Sequence, residues 1–211
     1  MLDIMTLPVT VFYQNCRLLV HQETKECVCV DVGGSPKEIY DLIESQDLKL
    51  KAILLTHGHL DHVGGAKVLS EISDVDILGP SCEDRFLFES LNEQASAFNL
   101  PPCESFEPDR YLKDGEVLNL FTDASFKVIH TPGHTPGGIC FYCKEENFVL
   151  VGDTLFEGSI GRTDFQRGSY DDLITSIKTK LFVLDDNTDV LTGHGEDTTI
   201  LKEKQTNPFI K

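Results

Sequence analysis

The densest chemistry in this chain lies in one run, Thr56-His57-Gly58-His59-Leu60-Asp61-His62, which places three imidazoles and one carboxylate within six positions. Nitrogen and oxygen donors of this kind suit zinc, iron and manganese. Their spacing limits how they can be used. On a helix His57 and His59 would point about 200° apart, whereas an extended loop turns residues two apart the same way. Gly58 has no Cβ to obstruct that loop. Asp61 and His62 are adjacent and cannot share one direction with the first pair, which points to two neighbouring metal ions. The plain alternative is a polar turn that happens to be rich in histidine.

Three more loops offer ligands. Thr131-Pro132-Gly133-His134-Thr135-Pro136-Gly137-Gly138 pins His134 in a tight turn between prolines and glycines. Leu150-Val151-Gly152-Asp153 is an apolar run that ends in a carboxylate, and Thr192-Gly193-His194-Gly195 holds one imidazole between glycines. A single His after a strand is often structural. Four such loops together supply five His and two Asp, enough for two metal ions with one carboxylate shared.

The surrounding elements must deliver these residues to one place. Residues 51–56 read as a short apolar strand that carries the first motif at its C-terminal end, where α/β proteins place their chemistry. Strands are expected at 9–13, 17–21 and 26–32, rich in Val, Leu, Cys and aromatics. A helix follows with Ser35 as N-cap, Pro36 at its first position and an apolar stripe of Ile39, Leu42 and Ile43. Further helices are expected at 65–72, at 81–99 (Phe86, Leu87, Leu91, Ala95, Phe98) and at 170–182. Pro101-Pro102 would end the second of these. Strands are expected at 77–80, 117–121, 126–130, 138–142, 148–151 and 189–192. Each half is thus a group of strands followed by a helix, with no linker or 20–50-residue repeat between them, so residues 1–211 are expected to form one domain.

Composition narrows the partners. The chain is 40% hydrophobic and 25% charged, with a net charge of −17 and no run of Lys or Arg. Such a field repels phosphate backbones and anionic lipid, which argues against nucleic acid and membrane surfaces. No stretch reaches the roughly 18 apolar residues of a membrane span, and residues 1–11 lack the basic start of a targeting segment. Seven cysteines without disulfide spacing suit free thiols and a cytoplasmic location. Cys140-Phe141-Tyr142-Cys143 is formally C-x-x-C, yet it falls in a strand-like run where residues three apart face opposite sides. Buried structural cysteines are expected there, and also at Cys27 and Cys29, which alternate with valines. Asp31 ends its strand either as a turn carboxylate or as a group supporting the ligands. His21 and His130 are expected to be structural, with His130 close enough to its loop to support it.

The order His57-Gly58-His59-Leu60-Asp61-His62, His134, Asp153, His194 resembles the metallo-β-lactamase superfamily, over essentially the whole chain. The resemblance implies a four-layer αββα sandwich of the α/β class. It also implies that His57, His59 and His134 hold one divalent ion, that Asp61, His62 and His194 hold a second, and that Asp153 bridges them, with zinc first and iron or manganese as alternatives. Within the superfamily, Gly133-His134-Thr135-Pro136-Gly137, Gly161-Arg162-Thr163-Asp164-Phe165 and Thr192-Gly193-His194-Gly195 look like the short type II glyoxalases (hydroxyacylglutathione hydrolases). Thr198-Thr199-Ile200, Glu203-Lys204 and Thr206-Asn207-Pro208-Phe209 fit as well. That likeness implies a thioesterase on a small-molecule substrate such as a glutathione conjugate, using a metal-bridging hydroxide, with Asp61 as a second-metal ligand that orients the nucleophile. The helical C-terminal domain of the two-domain enzymes has no counterpart in the 17 residues after His194. Arg162 matches their substrate-contacting basic residue, although Asp164 stands where an aromatic partner is usual, and Arg162 could equally pair with Asp164 or Asp171. A persulfide dioxygenase with one iron on His57, His134 and Asp153 is the main rival, and a lactonase the second. A degenerate metal-binding scaffold is disfavoured because no ligand position is replaced, and a nuclease by the charge.

Overall fold

The computed structural model of the chain describes residues 1–210. In chain order it contains β1 (Leu2–Val9), β2 (Gln14–His21), β3 (Glu26–Val30), α1 (Pro36–Ser45), β4 (Lys49–Leu54), α2 (Leu60–Val63), α3 (Ala66–Ser73), β5 (Ile77–Leu78), α4 (Arg85–Glu89) and α5 (Leu91–Ala97). The second half holds β6 (Val117–Leu118), β7 (Phe126–His130), β8 (Ile139–Cys143), β9 (Phe148–Gly152), β10 (Leu155–Phe156), β11 (Ser159–Ile160), α6 (Tyr170–Ser176), β12 (Asp189–Thr192), β13 (Thr198–Thr199) and α7 (Ile200–Thr206). One sheet has the order β1-β2-β3-β4-β5 and the other β13-β12-β9-β8-β7-β6.

Strand periodicity explains why these sheets sit back to back between helices. Successive side chains alternate faces, so Leu18 and Val20 enter one core while Leu19 enters another. The first core joins Cys27, Cys29 and Ile53 to Ile39 and Ile43 of α1 and Leu69 of α3. The second lies between the sheets, where Val28, Val30 and Leu54 meet Phe126, Phe141, Phe148 and Leu150. The third joins Ile129, Cys140, Val149 and Val190 to Leu173 of α6 and Ile200 of α7. Three apolar layers imply four structural layers, the expected αββα sandwich. Cys140 and Cys143 fall in different cores, on opposite faces of β8.

Several boundaries differ from the sequence expectation. The first strand is Leu2–Val9, and the expected strand at 9–13 is the turn after it. β1 is an edge strand with mostly solvent-facing side chains, which tolerates Pro8 and weakens the apolar alternation a reader looks for. Ser35 does precede α1, but at φ 51° and without a side-chain cap. The expected helix at 81–99 is a 3₁₀ turn (Cys82–Asp84) followed by α4 and α5, broken at Ser90. The strand at 117–121 shrinks to two residues, and β10, β11, β13 and α7 carry too few apolar residues to announce themselves. No helix among the described residues is long and apolar enough to cross a membrane.

All seven cysteines are free, and Cys16, Cys27, Cys29, Cys140 and Cys143 are buried. Burial pushes the Cys27 thiol up to about 12 and those of Cys140 and Cys143 up to about 11. A chromogenic disulfide reagent should therefore titrate Cys82 and Cys103 in the native protein and the remaining thiols only after denaturant is added. Rapid native reaction of more than these two would contradict the packing described.

Candidate metal centre

The ligand loops converge because three strands of the second sheet and β4 of the first end at the same edge. β7 and β9 each pair antiparallel with β8, and β12 runs parallel to β9. Thr56, just past β4, is tied across the seam by Ile139 N–H donating to its carbonyl at 2.9 Å. The pairing of β9 with β12 shifts between Leu191 and Thr192, so Gly152 faces Thr192. Such a bulge re-aims the residues that follow, here Asp153 and His194. Gly152 has φ 49°, and a Cβ there would lie 2.4 Å from Thr56 Oγ1. A Cβ on Gly193 would lie 2.4 Å from Asp153 Oδ1 and 2.8 Å from His62 Cε1, so only glycine leaves space for those groups.

Each imidazole but one is fixed from behind. His62 Nδ1 faces Asp31 Oδ2 at 2.9 Å, His134 Nδ1 faces the Arg162 carbonyl at 2.7 Å, and His194 Nδ1 faces the Phe12 carbonyl at 3.1 Å. His57 Nδ1 lies 3.1 Å from Thr56 Oγ1, whose own proton goes to Asp31 Oδ2 at 2.7 Å. Hydrogen bonds of this sort select the tautomer and aim the other nitrogen. His57, His62, His134 and His194 therefore present Nε2 to the centre, while His59 presents Nδ1, 2.9 Å from His134 Nε2.

In front, the donor atoms form three overlapping groups, each within 4.8 Å: His57, His59 and His134; His57, His62 and Asp153; and Asp61, His62 and His194. Asp61 Oδ2 is 3.2 Å from His194 Nε2. Asp153 Oδ1 is 3.2 Å from His62 Nε2, and its Oδ2 lies 3.6 Å from His134 Nε2 and 3.8 Å from His194 Nε2. His57 Nε2 and Asp153 Oδ1 are buried without a hydrogen-bond partner. Buried lone pairs left this way are costly, and a cation at their focus satisfies both. The donor set thus fits divalent metal ions.

The electrostatics divide the centre into two halves. Burial holds His57 well below its ordinary range and His59 down to about 3, so both are neutral bases ready to donate a lone pair. Burial lowers His134 as well, against the opposing pull of Asp153. His62 behaves differently: burial opposes its charge, but Asp153, Asp31 and Asp61 outweigh it and raise the imidazole well above the ordinary value. His194 is raised through its hydrogen bond to Asp61 and the charge of Asp153, again against burial. Burial works to raise Asp153, yet His62, His134 and His57 hold it well below the usual carboxylate range. A metal ion bound on the Asp61 side would take the place of these protons.

Asp31 is the supporting group rather than a turn carboxylate, since it also accepts Thr56 N–H at 2.8 Å. His130 stays structural, its Nε2 facing the Pro136 carbonyl at 2.8 Å, and His21 pairs with Asp123 at 2.9 Å. Arg162 reaches the centre through its backbone. Its exposed guanidinium makes two bonds to Asp164, at 2.9 and 2.7 Å, and lies 4.5 Å from the Phe165 ring centroid. Phe165 in turn packs on His59 at 4.8 Å. Three contributors had no signal in the sequence: the Phe12 carbonyl, Gln94, which accepts Leu60 N–H at 2.9 Å where α2 begins, and the buried Asp84.

This architecture has close relatives. The sequence profile described as the metallo-beta-lactamase superfamily matches residues 9–194. The Haemophilus influenzae protein named hydroxyacylglutathione hydrolase GloC is 49% identical over 99% of this chain and 98% of its own. The BLEG-1 B3 metallo-beta-lactamase superposes with a TM-score of 0.91 at 32% identity, covering 99% of this chain and 100% of that one. TTHA1623, solved in a di-iron-bound form, gives 0.88 at 35% identity over 97% and 99%. With the profile spanning every ligand loop, the chain belongs to the metallo-beta-lactamase superfamily and is a metal-dependent hydrolase.

Proposed function

We propose that this hydrolase is a dinuclear thioesterase that cleaves S-D-lactoylglutathione, or a related thioester, to a free acid and a thiol. The reading rests on the place of Asp153, whose two oxygens stand between the donors of both halves of the centre. In this reading His57, His59 and His134 hold the first ion, Asp61, His62 and His194 the second, and Asp153 is shared. Zinc is the first candidate, with iron supported by the di-iron relative and manganese also suited to the donors. The name of the H. influenzae relative supports glutathione as the thiol.

Divalent ions held by these residues would lower the pKa of a bound water towards neutrality and polarise a carbonyl oxygen. The protein's part is orientation. Asp61 faces the same space as Asp153 and aims the attacking water, while Asp31 keeps His62 in its tautomer directly and His57 through Thr56. Water adds its oxygen to the acyl carbon, the carbon–sulfur bond breaks, and the thiolate leaves without a dedicated acid because thiols are acidic enough to depart as anions. Phe165 packs on His59 and Arg162 on Phe165, which supports Arg162 as the contact for a carboxylate-bearing thiol. Free thiols throughout suit a cytoplasmic enzyme.

The purified protein should carry close to two metals per chain by elemental analysis and release glutathione from S-D-lactoylglutathione, and chelation should abolish that activity. Asp153→Ala is expected to reduce both metal content and turnover to background, whereas Cys140→Ala should spare both. One iron per chain, with oxygen uptake on glutathione persulfide and no thioester cleavage, would sink the proposal in favour of the dioxygenase. A preference for lactones would instead favour an esterase on the same centre. Arg162→Ala should raise KM about tenfold, the worth of one charged hydrogen bond, with kcat nearly unchanged. An unaltered KM would remove Arg162 from the substrate site.

A further inference from the structure

Asp84 is a fully buried carboxylate outside every ligand motif, in the 3₁₀ turn before α4. Among the described residues it has no basic partner in hydrogen-bond contact. Three donors converge on it instead: Gly58 N–H at 3.0 Å and Thr135 Oγ1 at 2.8 Å on Oδ2, and Gly137 N–H at 2.6 Å on Oδ1. Gly58 lies between His57 and His59, while Thr135 and Gly137 follow His134. The carboxylate therefore joins the two loops that supply the all-histidine half of the centre, across more than seventy residues of sequence. The same turn holds the second loop again through Ser81 N–H to the Gly137 carbonyl at 3.0 Å. Arg167 braces it from outside, donating to the Glu83 carbonyl at 3.1 Å and its carboxylate at 2.7 Å.

We infer that Asp84 is a positioning residue for the first metal ion, setting the distance between the His57–His59 loop and the His134 loop. The inference rests on the two-ion reading above. His57, His59 and His134 come from opposite sides of the sheet seam, so no single strand fixes their separation, whereas the three bonds to Asp84 do. All three donors want an acceptor, and a carboxylate offers one on each oxygen. Burial pushes its carboxyl up to about 6 against the pull of those donors, which leaves it ionised at neutral pH with charge-assisted bonds to both loops. An asparagine has the same shape but only one accepting oxygen, so it must turn an N–H toward at least one of the donors.

Zinc(II) titration of the chelator-stripped protein against a chromophoric competitor, with cobalt(II) absorption as a second probe, tests this directly. Asp84→Asn should weaken one of the two ions by about 10–100-fold, the range for groups that orient ligands, and leave the other within about threefold. Its cobalt spectrum should lose the same bands as His59→Ala. Glu203→Gln is the control for a purely structural role. Glu203 is also fully buried and accepts Thr198 Oγ1, Gly158 N–H and Asn207 Nδ2, so its loss should lower the melting temperature without a selective change in either affinity. If Asp84→Asn does not fold, Thr135→Val carries the test with a smaller selective loss. Unchanged affinities in the folded variant, or equal losses at both ions matching those of Glu203→Gln, would overturn the inference. Uptake of fewer than two ions by the unaltered protein would instead count against the two-ion reading, and Asp84 would then be judged on the one remaining affinity, which the substitution must still weaken.

Discussion

Everything near the centre depends on bringing lone pairs together where water and positive side chains are scarce. Among the described residues, the ion pairs that reach Asp61 and Asp153 all come from histidines. The neutral imidazoles of His57, His59 and His134 have no reason to stay converged unless the scaffold holds them or a cation joins them. The protein does the first by giving most imidazoles an oxygen behind, which fixes the ring, and it leaves His57 Nε2 and Asp153 Oδ1 in front without a hydrogen-bond partner. Asp31 does most in this scheme. It accepts from Thr56 twice and faces His62, so one carboxylate governs a histidine of each half.

The same constraint shapes the backbone. A carboxylate, two imidazoles and the end of a neighbouring strand cannot occupy one spot unless a side chain is removed, and the positions that give way are Gly152 and Gly193. The shift in the β9–β12 pairing then turns Asp153 and His194 toward the seam rather than along their strands. Adjacent parallel strands in strict register would have carried them side by side on the sheet. The Phe12 carbonyl completes the arrangement from a turn whose ring packs edge-on against Phe98 at 5.2 Å. The β1–β2 turn thus belongs to the centre although it contributes no metal donor.

What the sequence discloses follows from the range of each interaction. The seven donor side chains are short-range signals: a histidine beside glycine, or a carboxylate closing an apolar run, is visible within a few residues. Of the cores, only the Cys–Val alternation of β3 is legible within its strand, whereas β9 is apolar throughout and does not show which face meets which core. The break at Ser90 is not legible either. Phe86, Leu87, Leu91, Ala95 and Phe98 keep helical spacing through it, and only packing decides that α4 and α5 separate. Asp84 lies beyond reach for a related reason. Its partners at 58, 135 and 137 share no local pattern with it, and in the sequence it is one acid beside another at a helix start. Gln94 is hidden likewise, since an exposed-looking amide on α5 gives no hint that it closes the first turn of α2.

The split between what holds the metals and what selects the substrate has an energetic basis. The donors are buried and mutually dependent, so a change at one disturbs the rest through short hydrogen bonds. Arg162 and Asp164 are each 66% exposed, and an exposed pair of this kind adds little to stability because solvent screens it. If Arg162 meets the substrate as proposed, a carboxylate would exchange with Asp164 against little resistance, while the Phe165 ring keeps the guanidinium beside His59. Arg85 on Tyr111 and Arg167 on Phe86 stack in the same way, so it is the position beside His59, through Phe165, that sets Arg162 apart. In the thioesterase proposed above, changes at this exposed pair would alter which anionic substrate is favoured and leave the buried hydrogen bonds behind the metal donors intact.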